Sequence, residues 1–306
     1  MNNLQTTISH YLEFCRFQKG LDEKTIKAYR IDLRQFAEFV AVDDLLFITP
    51  ELLESFLTTL HQTCKPRTAK RKIASIKAFF HYLECKDLIP SNPFNKIQIK
   101  FREPVLLPKT IPLHTIEVFL SAMYQQKKLA KTPHQQKIIS RDIAVIELLF
   151  ATGIRISELC SLKPQDIDWF DRNILIYGKG SKERKIPIGN EDVLIILYDY
   201  YQKNHMDIQA CGYFFVNNLC HRLSEQSVRE MINRYTELAA IEMHITPHMF
   251  RHSFATFLLE ADVDIRYIQE MLGHSSIHVT EIYTHVAMSK QKDILTTKHP
   301  RRNFHL

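Results

Sequence analysis

Glycine is scarce in this chain, with 7 residues among 306, whereas it makes up about 7% of residues in average proteins. So few turn-forming residues argue against a β-sandwich or barrel and favour a mainly helical fold. No G-x-G-x-x-G sequence is present, so the chain lacks the loop with which Rossmann folds bind a pyrophosphate. The length and the 45% content of hydrophobic residues are sufficient for two domains, each with its own core.

Cysteine pairs and long apolar runs are absent as well. The six cysteines are scattered and form no C-x-x-C pair, so we expect reduced thiols and neither a zinc ribbon nor a redox dithiol. The longest apolar stretch, residues 143–154, is interrupted by Glu147 and Thr152 and is too short to cross a bilayer. The N-terminus lacks the basic and apolar regions of a signal peptide. We therefore expect a cytoplasmic protein that makes no contact with a membrane.

Basic residues are concentrated between residues 65 and 83, and no acidic residue occurs between Glu54 and Glu84. The apolar residues of this segment recur at helical spacing and predict one buried face. The basic residues fall on the opposite face, which suits either a solvated surface or the phosphates beside a DNA groove. The lack of acidic partners at i±4 favours DNA, because ordinary surface helices mix both signs. The candidate DNA-binding residues are Arg67, Lys70, Arg71 and Lys77.

Prolines divide the chain near residue 100. Five of them occur among residues 90–112, which prevents a continuous helix and predicts an extended, basic linker. We therefore predict a helical N-terminal domain over residues 1–100, a linker over 101–112 and a second domain over 113–306. The net charge of +6 makes nucleic acid a candidate partner for local basic patches on either domain.

The second domain contains one β-rich region. Residues 173–177 and 184–188 have the composition of strands and flank residues 178–183, so we predict a hairpin with a basic tip. Elsewhere the domain has helical periodicity, including a region that we predict to be helical from Asp192 to about Leu295.

Four short segments of the second domain carry residues that could act on a phosphate. In the first, Gly153 ends a predicted helix and Arg155 follows it, with Glu158 three residues on and able to fix its guanidinium. In the second, Lys179 lies at the hairpin tip, where a lysine can reach a substrate and release a proton. Taken alone, an arginine after a helix end is usually structural, and a lysine on a turn is usually solvated.

The third segment begins a helix, with Thr246 as the predicted N-cap and Pro247 at the first helical position. His248 and Arg251 then share one face at the helix N-terminus, which attracts anions. The spacing alone is weak evidence, since H-x-x-R matches arise by chance. A zinc site formed by His244, His248 and His252 is disfavoured, because Pro247 places the helix start after His244.

The fourth segment places His274 on a turn and Tyr283 at the end of the following short helix. Taken alone, such a tyrosine is most often a half-buried core residue.

Together, ATGIRISELCSL, YGKGSKERKIPI, TPHMFRHSFATFLLE and MLGHSSIHVTEIYTHV resemble the conserved boxes of the tyrosine recombinases (the phage-integrase family), above all the Xer branch (XerC/XerD-type enzymes). The resemblance covers nearly the whole chain, and the order and spacing of the four boxes make it specific. It implies a mainly α fold: an N-terminal helical core-binding (SAM-like) domain and a C-terminal mixed α/β catalytic domain with a small antiparallel β-hairpin or sheet.

The resemblance also implies a reaction. In this family a tyrosine attacks a DNA phosphodiester, forms a 3′-phosphotyrosyl link and releases a 5′-hydroxyl, with no metal, cofactor or ATP. By the motifs, Tyr283 is the nucleophile, Lys179 protonates the leaving 5′ oxygen and His248 assists as an acid or base. The residues that would hold the non-bridging oxygens are Arg155, Arg251 and His274. Guanidiniums suit this role, because their planar fork grips a phosphate bidentately.

The implied partners follow from the same resemblance. Two domains would clamp double-stranded DNA, two protomers would bind an inverted-repeat recombination site, and four would form a tetramer. Residues 284–306, with a short helix from about Ser289 to Leu295, would dock onto the next subunit. A second Xer-type recombinase and a division DNA translocase are further candidate partners of what would be a nucleoid-associated enzyme.

Two other classes of protein remain open on the residues alone. A non-catalytic DNA-binding protein would keep the basic helix but would have no reason to retain Tyr283 together with five catalytic partners. A metal-dependent nuclease would need clustered carboxylates, which the four boxes lack. Among recombinases, resolution of chromosome or plasmid dimers competes with integration or excision of a mobile element, and the Xer-like boxes and compact length favour dimer resolution.

Overall fold

The computed structural model describes residues 3–97, 109–178 and 183–273 of the chain. The chain divides into two compact units, Met1–Val105 and Leu106–Leu306. The predicted fold class is confirmed, because the described residues are mainly α-helical and contain one small antiparallel sheet. Most of the predicted linker at 101–112 lies outside the described residues.

Four α-helices build the described part of the N-terminal unit. Polar side chains cap three of them by accepting hydrogen bonds from first-turn backbone N–H groups, namely Asn3, Asp22 and Thr49. The helices enclose a core rich in aromatic residues, including Tyr11, Phe36 and Phe80. The helices are α1 (Leu4–Phe17), α2 (Glu23–Val40), α3 (Pro50–Thr63) and α4 (Pro66–Cys85).

Helix α4 has the two faces that its sequence predicts. The predicted apolar face is buried in the core of the unit, and the four candidate DNA-binding residues are exposed. The buried residues of this face are Ala69, Ile73, Ile76, Phe80 and Leu83.

Seven α-helices and a sheet make up the described part of the C-terminal unit. The sheet has the order β1-β2-β3 with antiparallel neighbours. Its strands are β1 (Ile167–Asp168), β2 (Asn173–Tyr177) and β3 (Glu183–Pro187). The helices are α5 (Leu113–Leu129), α6 (Pro133–Thr152), α7 (Ile156–Ser161), α8 (Glu191–Cys211), α9 (Glu225–Leu238), α10 (Pro247–Glu260) and α11 (Ile265–Leu272).

Helix α6 lies in the core of this unit. It packs against α5, α8 and α10, which explains why its second half, residues 142–152, is buried on nearly every side. The fully buried Asp142 accepts hydrogen bonds from Arg141, Arg234 and the Tyr235 hydroxyl, so its charge is compensated. No helix among the described residues is long and apolar enough to span a membrane.

Two of the differences from the sequence-based expectations concern the elements of secondary structure. Strand β1, which is only two residues long, was not expected from the sequence. The continuous helical region predicted from Asp192 is wrong between α8 and α9, because Gly212 ends α8 in the left-handed conformation with φ 76°. An isolated β-bridge between Val216 and Arg222 follows. The predicted tail helix near Ser289 lies outside the described residues.

Candidate active site

Arg155 is placed by a sharp turn between α6 and α7. Gly153 ends α6 with φ 60°, and Arg155 is the N-cap of α7. Its Nη1 donates to Oε1 of Glu158 at 2.7 Å, and its backbone N–H donates to Oε2 at 2.8 Å. Glu158 therefore holds the arginine at both its backbone and its guanidinium, as the spacing of three residues suggested.

Glu158 is shared with a second arginine. Arg184 of β3 donates from Nη1 and Nη2 to the two carboxylate oxygens at 3.0 and 2.7 Å. Burial raises the pKa of Glu158, but the hydrogen bonds from Arg184 and Arg155 outweigh it and hold the pKa below its ordinary value. One buried carboxylate thus joins two cations, which leaves the group with a net positive charge.

Arg184 is a functional candidate that sequence reasoning missed. In the sequence it is one of several cations around the predicted hairpin tip. In β3 it pairs with Ile176, which is buried, so both side chains lie on the core-facing side of the sheet. The sequence feature that could have identified it is the alternation of the strand, which places Arg184 on the same face as Ile186 and Ile188. An arginine on a buried face needs a buried acid.

Arg251 lies in the first turns of α10 and is buried. Pro247 occupies the first helical position as predicted, whereas the Thr246 side chain makes no capping hydrogen bond. The Arg251 Nη1 donates to the Gly153 carbonyl at 2.8 Å and Nη2 to the Leu272 carbonyl at 2.6 Å. Arg251 therefore connects the end of α6 to the end of α11.

Three guanidiniums meet the last turn of α11. Arg184 Nε donates to the carbonyl of Met271 at 2.8 Å, and Arg155 Nη2 lies 3.4 Å from that of Gly273. Arg251 binds the carbonyl between them in sequence. These carbonyls lack partners inside the helix and carry its negative potential, so cations are stabilised there.

His248 lies on α10 three residues before Arg251 and is exposed at the surface. Its pKa is lowered by partial desolvation and by the positive charges of Arg251, Arg229 and Arg155. The neighbouring His252, which is half-buried, has its pKa lowered to about 4, chiefly by desolvation. Both imidazoles are therefore neutral near pH 7, the state in which an imidazole can accept a proton.

The structure brings together three of the six predicted catalytic residues: Arg155, His248 and Arg251. The other three, Lys179, His274 and Tyr283, lie outside the described residues. Gly178 and Gly273, which immediately precede two of them in sequence, are described. Among residues 3–97, 109–178 and 183–273, no group of three or more His, Cys, Asp or Glu side chains is arranged to hold a metal ion.

The basic face of α4 belongs to the N-terminal unit. Arg67, Lys70 and Lys77 are exposed on it. Arg71 is also exposed but forms an ion pair with Asp32 of α2, whose side chain is fully buried. Ser75 donates a second hydrogen bond to the same carboxylate at 3.0 Å. The charge of Arg71 is thus partly balanced within the unit, which the sequence did not indicate.

Comparison with known proteins decides the family. Residues 122–290 match the model described as "Phage integrase family", and residues 8–86 match "Phage integrase, N-terminal SAM-like domain". The chain belongs to the phage integrase family. The predicted SAM-like N-terminal domain is confirmed by the second match, and the predicted identity as a tyrosine recombinase, an enzyme of site-specific DNA recombination, is confirmed by the first and by the relatives.

Several members of the family are similar to this chain over its whole length. A "Tyrosine recombinase" of Agathobacter rectalis is 62% identical over 305 residues and covers 100% of both chains. "Tyrosine recombinase XerC" of Oceanobacillus iheyensis is 34% identical and covers 99% of both. "Tyrosine recombinase XerD" of Listeria monocytogenes is 36% identical over 98% of this chain and 100% of its own.

Solved structures share the fold. XerH recombinase bound to palindromic difH substrate aligns with a TM-score of 0.73 and 22% identity, over 95% of this chain and 84% of its own. XerA recombinase aligns with a TM-score of 0.52 and 26% identity, over 97% and 99%.

Proposed function

We propose that this recombinase cleaves and rejoins DNA through a 3′-phosphotyrosyl intermediate, with Tyr283 as the nucleophile. The observation that carries the proposal is the meeting of Arg155 and Arg251 at consecutive carbonyls of the end of α11, Leu272 and Gly273. Two guanidiniums from separate elements, each fixed by its own hydrogen bonds, form a preorganised site for the negative charge of a phosphodiester transition state.

Each of the candidate catalytic residues has its own role in the cleavage step. The Tyr283 oxygen attacks phosphorus while the bond from phosphorus to the 5′ oxygen breaks, and Lys179 gives its proton to that oxygen. The tyrosine has an ordinary pKa near 10, so its proton must pass to a base as the attack proceeds, and neutral His248 can accept it. His274 joins the arginines in holding the non-bridging oxygens.

The reverse step rejoins the strand. A 5′-hydroxyl attacks the phosphotyrosine, and Tyr283 leaves with a proton returned to it. The phosphoester bond is exchanged rather than hydrolysed, so religation needs no nucleotide as a source of energy.

We further propose that the basic face of α4 binds double-stranded DNA at an inverted-repeat site and that four protomers assemble on two sites. The lambda integrase, which has the same fold with a TM-score of 0.69 and 17% identity, is described as a tetramer bound to a Holliday junction. Residues 284–306 dock onto the neighbouring subunit in this proposal. Truncation before Ser289 is then expected to spare DNA binding and to impair strand exchange.

The biological role that we propose is resolution of chromosome or plasmid dimers in the cytoplasm, at the nucleoid. XerC and XerD relatives that match nearly the full length of the chain support this role. A second recombinase and a division DNA translocase are its candidate partners. Integration or excision of a mobile element uses the same chemistry, and the Tn1549 transposon integrase shares the fold with a TM-score of 0.72. The genomic sequence protected by the purified protein separates the two roles: a replication-terminus site or the end of an element.

The test of the chemistry is covalent capture on a nicked suicide substrate with end-labelled DNA. Wild type is expected to give a protein–DNA band on a denaturing gel in the presence of a chelator, and Tyr283→Phe none. The phenylalanine removes one oxygen and almost no volume, so DNA affinity should persist. Arg155→Lys and Arg251→Lys are expected to lower the yield at least tenfold, because an ammonium keeps the charge and loses the planar fork. A band that survives in Tyr283→Phe overturns the assignment of the nucleophile.

A further inference from the structure

Arg184 connects three elements of the C-terminal unit through one side chain. It lies on β3, its carboxylate partner Glu158 lies on α7, and its carbonyl partner Met271 lies on α11. All three guanidinium nitrogens of Arg184 donate a hydrogen bond, and its side chain is only 10% exposed. Its paired bonds to Glu158 occupy the Nη1–Nη2 edge, which is an edge that a guanidinium can offer to a phosphate.

Arg155 differs from Arg184 in both respects. Its side chain is 34% exposed, and of its two η nitrogens only Nη1 donates to Glu158, while Nη2 makes a long contact to the Gly273 carbonyl. Arg155 therefore presents part of its guanidinium outward while Arg184 takes both oxygens of the shared carboxylate. The Arg184 guanidinium thus makes two hydrogen bonds to Glu158, and the Arg155 guanidinium makes one.

The charge balance of this group depends on Arg184. With both arginines present, the ionised Glu158 leaves a net charge of +1 for the three side chains. Without Arg184, Arg155 would be the remaining cation of the three, and a buried carboxylate binds its remaining partner strongly. The positive charge offered to a phosphate at this position would then be cancelled.

Arg184 also packs against the end of α11. Gly273 has φ 64°, and a β-carbon placed on it would lie 3.1 Å from Cδ of Arg184. The side chain thus fills the space beside the residue at which the helix stops, directly before His274 in sequence. Strand β3 itself begins directly after residues 179–182, which include Lys179.

We propose that Arg184 is a positioning residue for DNA cleavage. By satisfying Glu158, it leaves the charge of Arg155 available to the scissile phosphate, and by bonding Met271 it fixes the end of α11. This inference rests on the proposed function of Arg155. Arg184 itself does not touch the DNA.

The experiment compares four variants by their rate of covalent adduct formation on the suicide substrate. Arg184→Met removes the charge and keeps most of the aliphatic stem, and its rate is expected to fall at least tenfold with DNA affinity within twofold of wild type. Adding Glu158→Gln removes the unbalanced carboxylate and restores the net charge of +1. The double variant is therefore expected to be at least fivefold faster than Arg184→Met.

The matched control is Arg184→Lys, which keeps the compensating charge. In this background, Glu158→Gln has no excess negative charge to remove and takes away a hydrogen-bond partner of Arg155. The double variant is therefore expected to react more slowly than Arg184→Lys alone. A change at Glu158 that speeds one variant and slows the other is a coupling that a merely structural role of Arg184 does not produce. The lysine pair also preserves the test if Arg184→Met does not fold.

The outcomes distinguish a failure of the proposed role of Arg184 from a failure of the proposed cleavage reaction. An adduct rate of Arg184→Met equal to wild type, or a Glu158→Gln change that slows both arginine variants alike, overturns the role of Arg184 while leaving the chemistry intact. If the methionine variant does not fold, a Glu158→Gln change that speeds up the lysine variant overturns it in the same way. Failure of wild type to form any adduct contradicts the proposed cleavage reaction itself.

Discussion

Gly153 and Phe254 approach so closely that a β-carbon on the glycine would lie 2.6 Å from Cδ1 of the phenylalanine ring. Gly153 also has φ 60°, a backbone conformation that residues with a side chain rarely adopt. Its carbonyl accepts a hydrogen bond from Arg251. The turn between α6 and α7 thus fixes both candidate phosphate-binding arginines, since Arg155 follows two residues later.

Gly153→Ala is therefore expected to lower both stability and cleavage. The left-handed conformation costs about 1–2 kcal/mol, and the forced movement of Phe254 costs about 1–3 kcal/mol more. Because the Gly153 carbonyl holds Arg251, adduct formation should fall by more than DNA binding. Thermal unfolding and covalent capture measure the two effects.

Gly212→Ala is the matched control. Gly212 also has a positive φ, 76°, but no described atom lies within 4 Å of the position that its β-carbon would take. This variant should show the backbone cost alone and cleave DNA at the wild-type rate. Equal losses in the two variants would mean that contact with Phe254 does not matter.

The features predicted best from the sequence are those that depend on helical periodicity and on residues close together in the chain. The predicted buried face of α4 and the start of α10 at Pro247 follow from periodicity and from local preferences, and both are found in the structure. The arginine network could not be derived in the same way. Glu158 and Arg155 are neighbours on a helix, but Arg184 is 26 residues away in sequence, and only the fold brings its strand beside α7.

The same limit applies to Arg71. Its charge belongs to the basic face of α4, whereas its partner Asp32 lies 39 residues earlier, on α2. Helical spacing shows on which face a cation lies, but it does not show whether another element supplies a carboxylate there. Tertiary ion pairs of this kind are visible only once the helices are packed together.

His252 is expected to make the protein less stable as the pH falls. Its pKa is about 4 in the folded protein, compared with about 6.5 for an unperturbed histidine. Between these values the unfolded chain binds a proton that the folded chain does not, so stability decreases as the pH drops through this window. The loss attributable to His252 is about 2 kcal/mol between pH 8 and pH 5.

His252→Asn is expected to remove this part of the pH dependence. Unfolding by urea at pH 8 and pH 5 measures it as the difference between the two free energies of unfolding. His244→Asn is the control, because His244 is an exposed histidine of the same unit, and this variant should retain the wild-type pH dependence. A wild-type dependence in His252→Asn would contradict the burial of a neutral imidazole at this position.

The basic face of α4 is expected to act in DNA binding and not in the chemistry of cleavage. Changing Lys70 and Lys77 together to Ala should weaken binding and reduce the slope of log K against log salt by about 0.9 for each phosphate that the variant no longer neutralises. Lys19 and Lys86, which are also exposed but lie outside the basic segment of residues 65–83, provide a control with the same change in charge. Their double substitution should leave the slope unchanged.

Arg71 should behave differently from these lysines because of Asp32. Arg71→Ala removes the cation from a buried carboxylate to which Ser75 still donates, which costs about 1–3 kcal/mol, so the unfolding temperature should fall. The salt slope should fall by less than for one lysine, since the cation is already partly neutralised. Adding Asp32→Asn should recover stability without restoring the affinity for DNA. If Arg71→Ala instead flattens the slope as much as a lysine substitution and leaves the unfolding temperature unchanged, then the ion pair does not hold Arg71, and all four cations of the face act alike on the DNA.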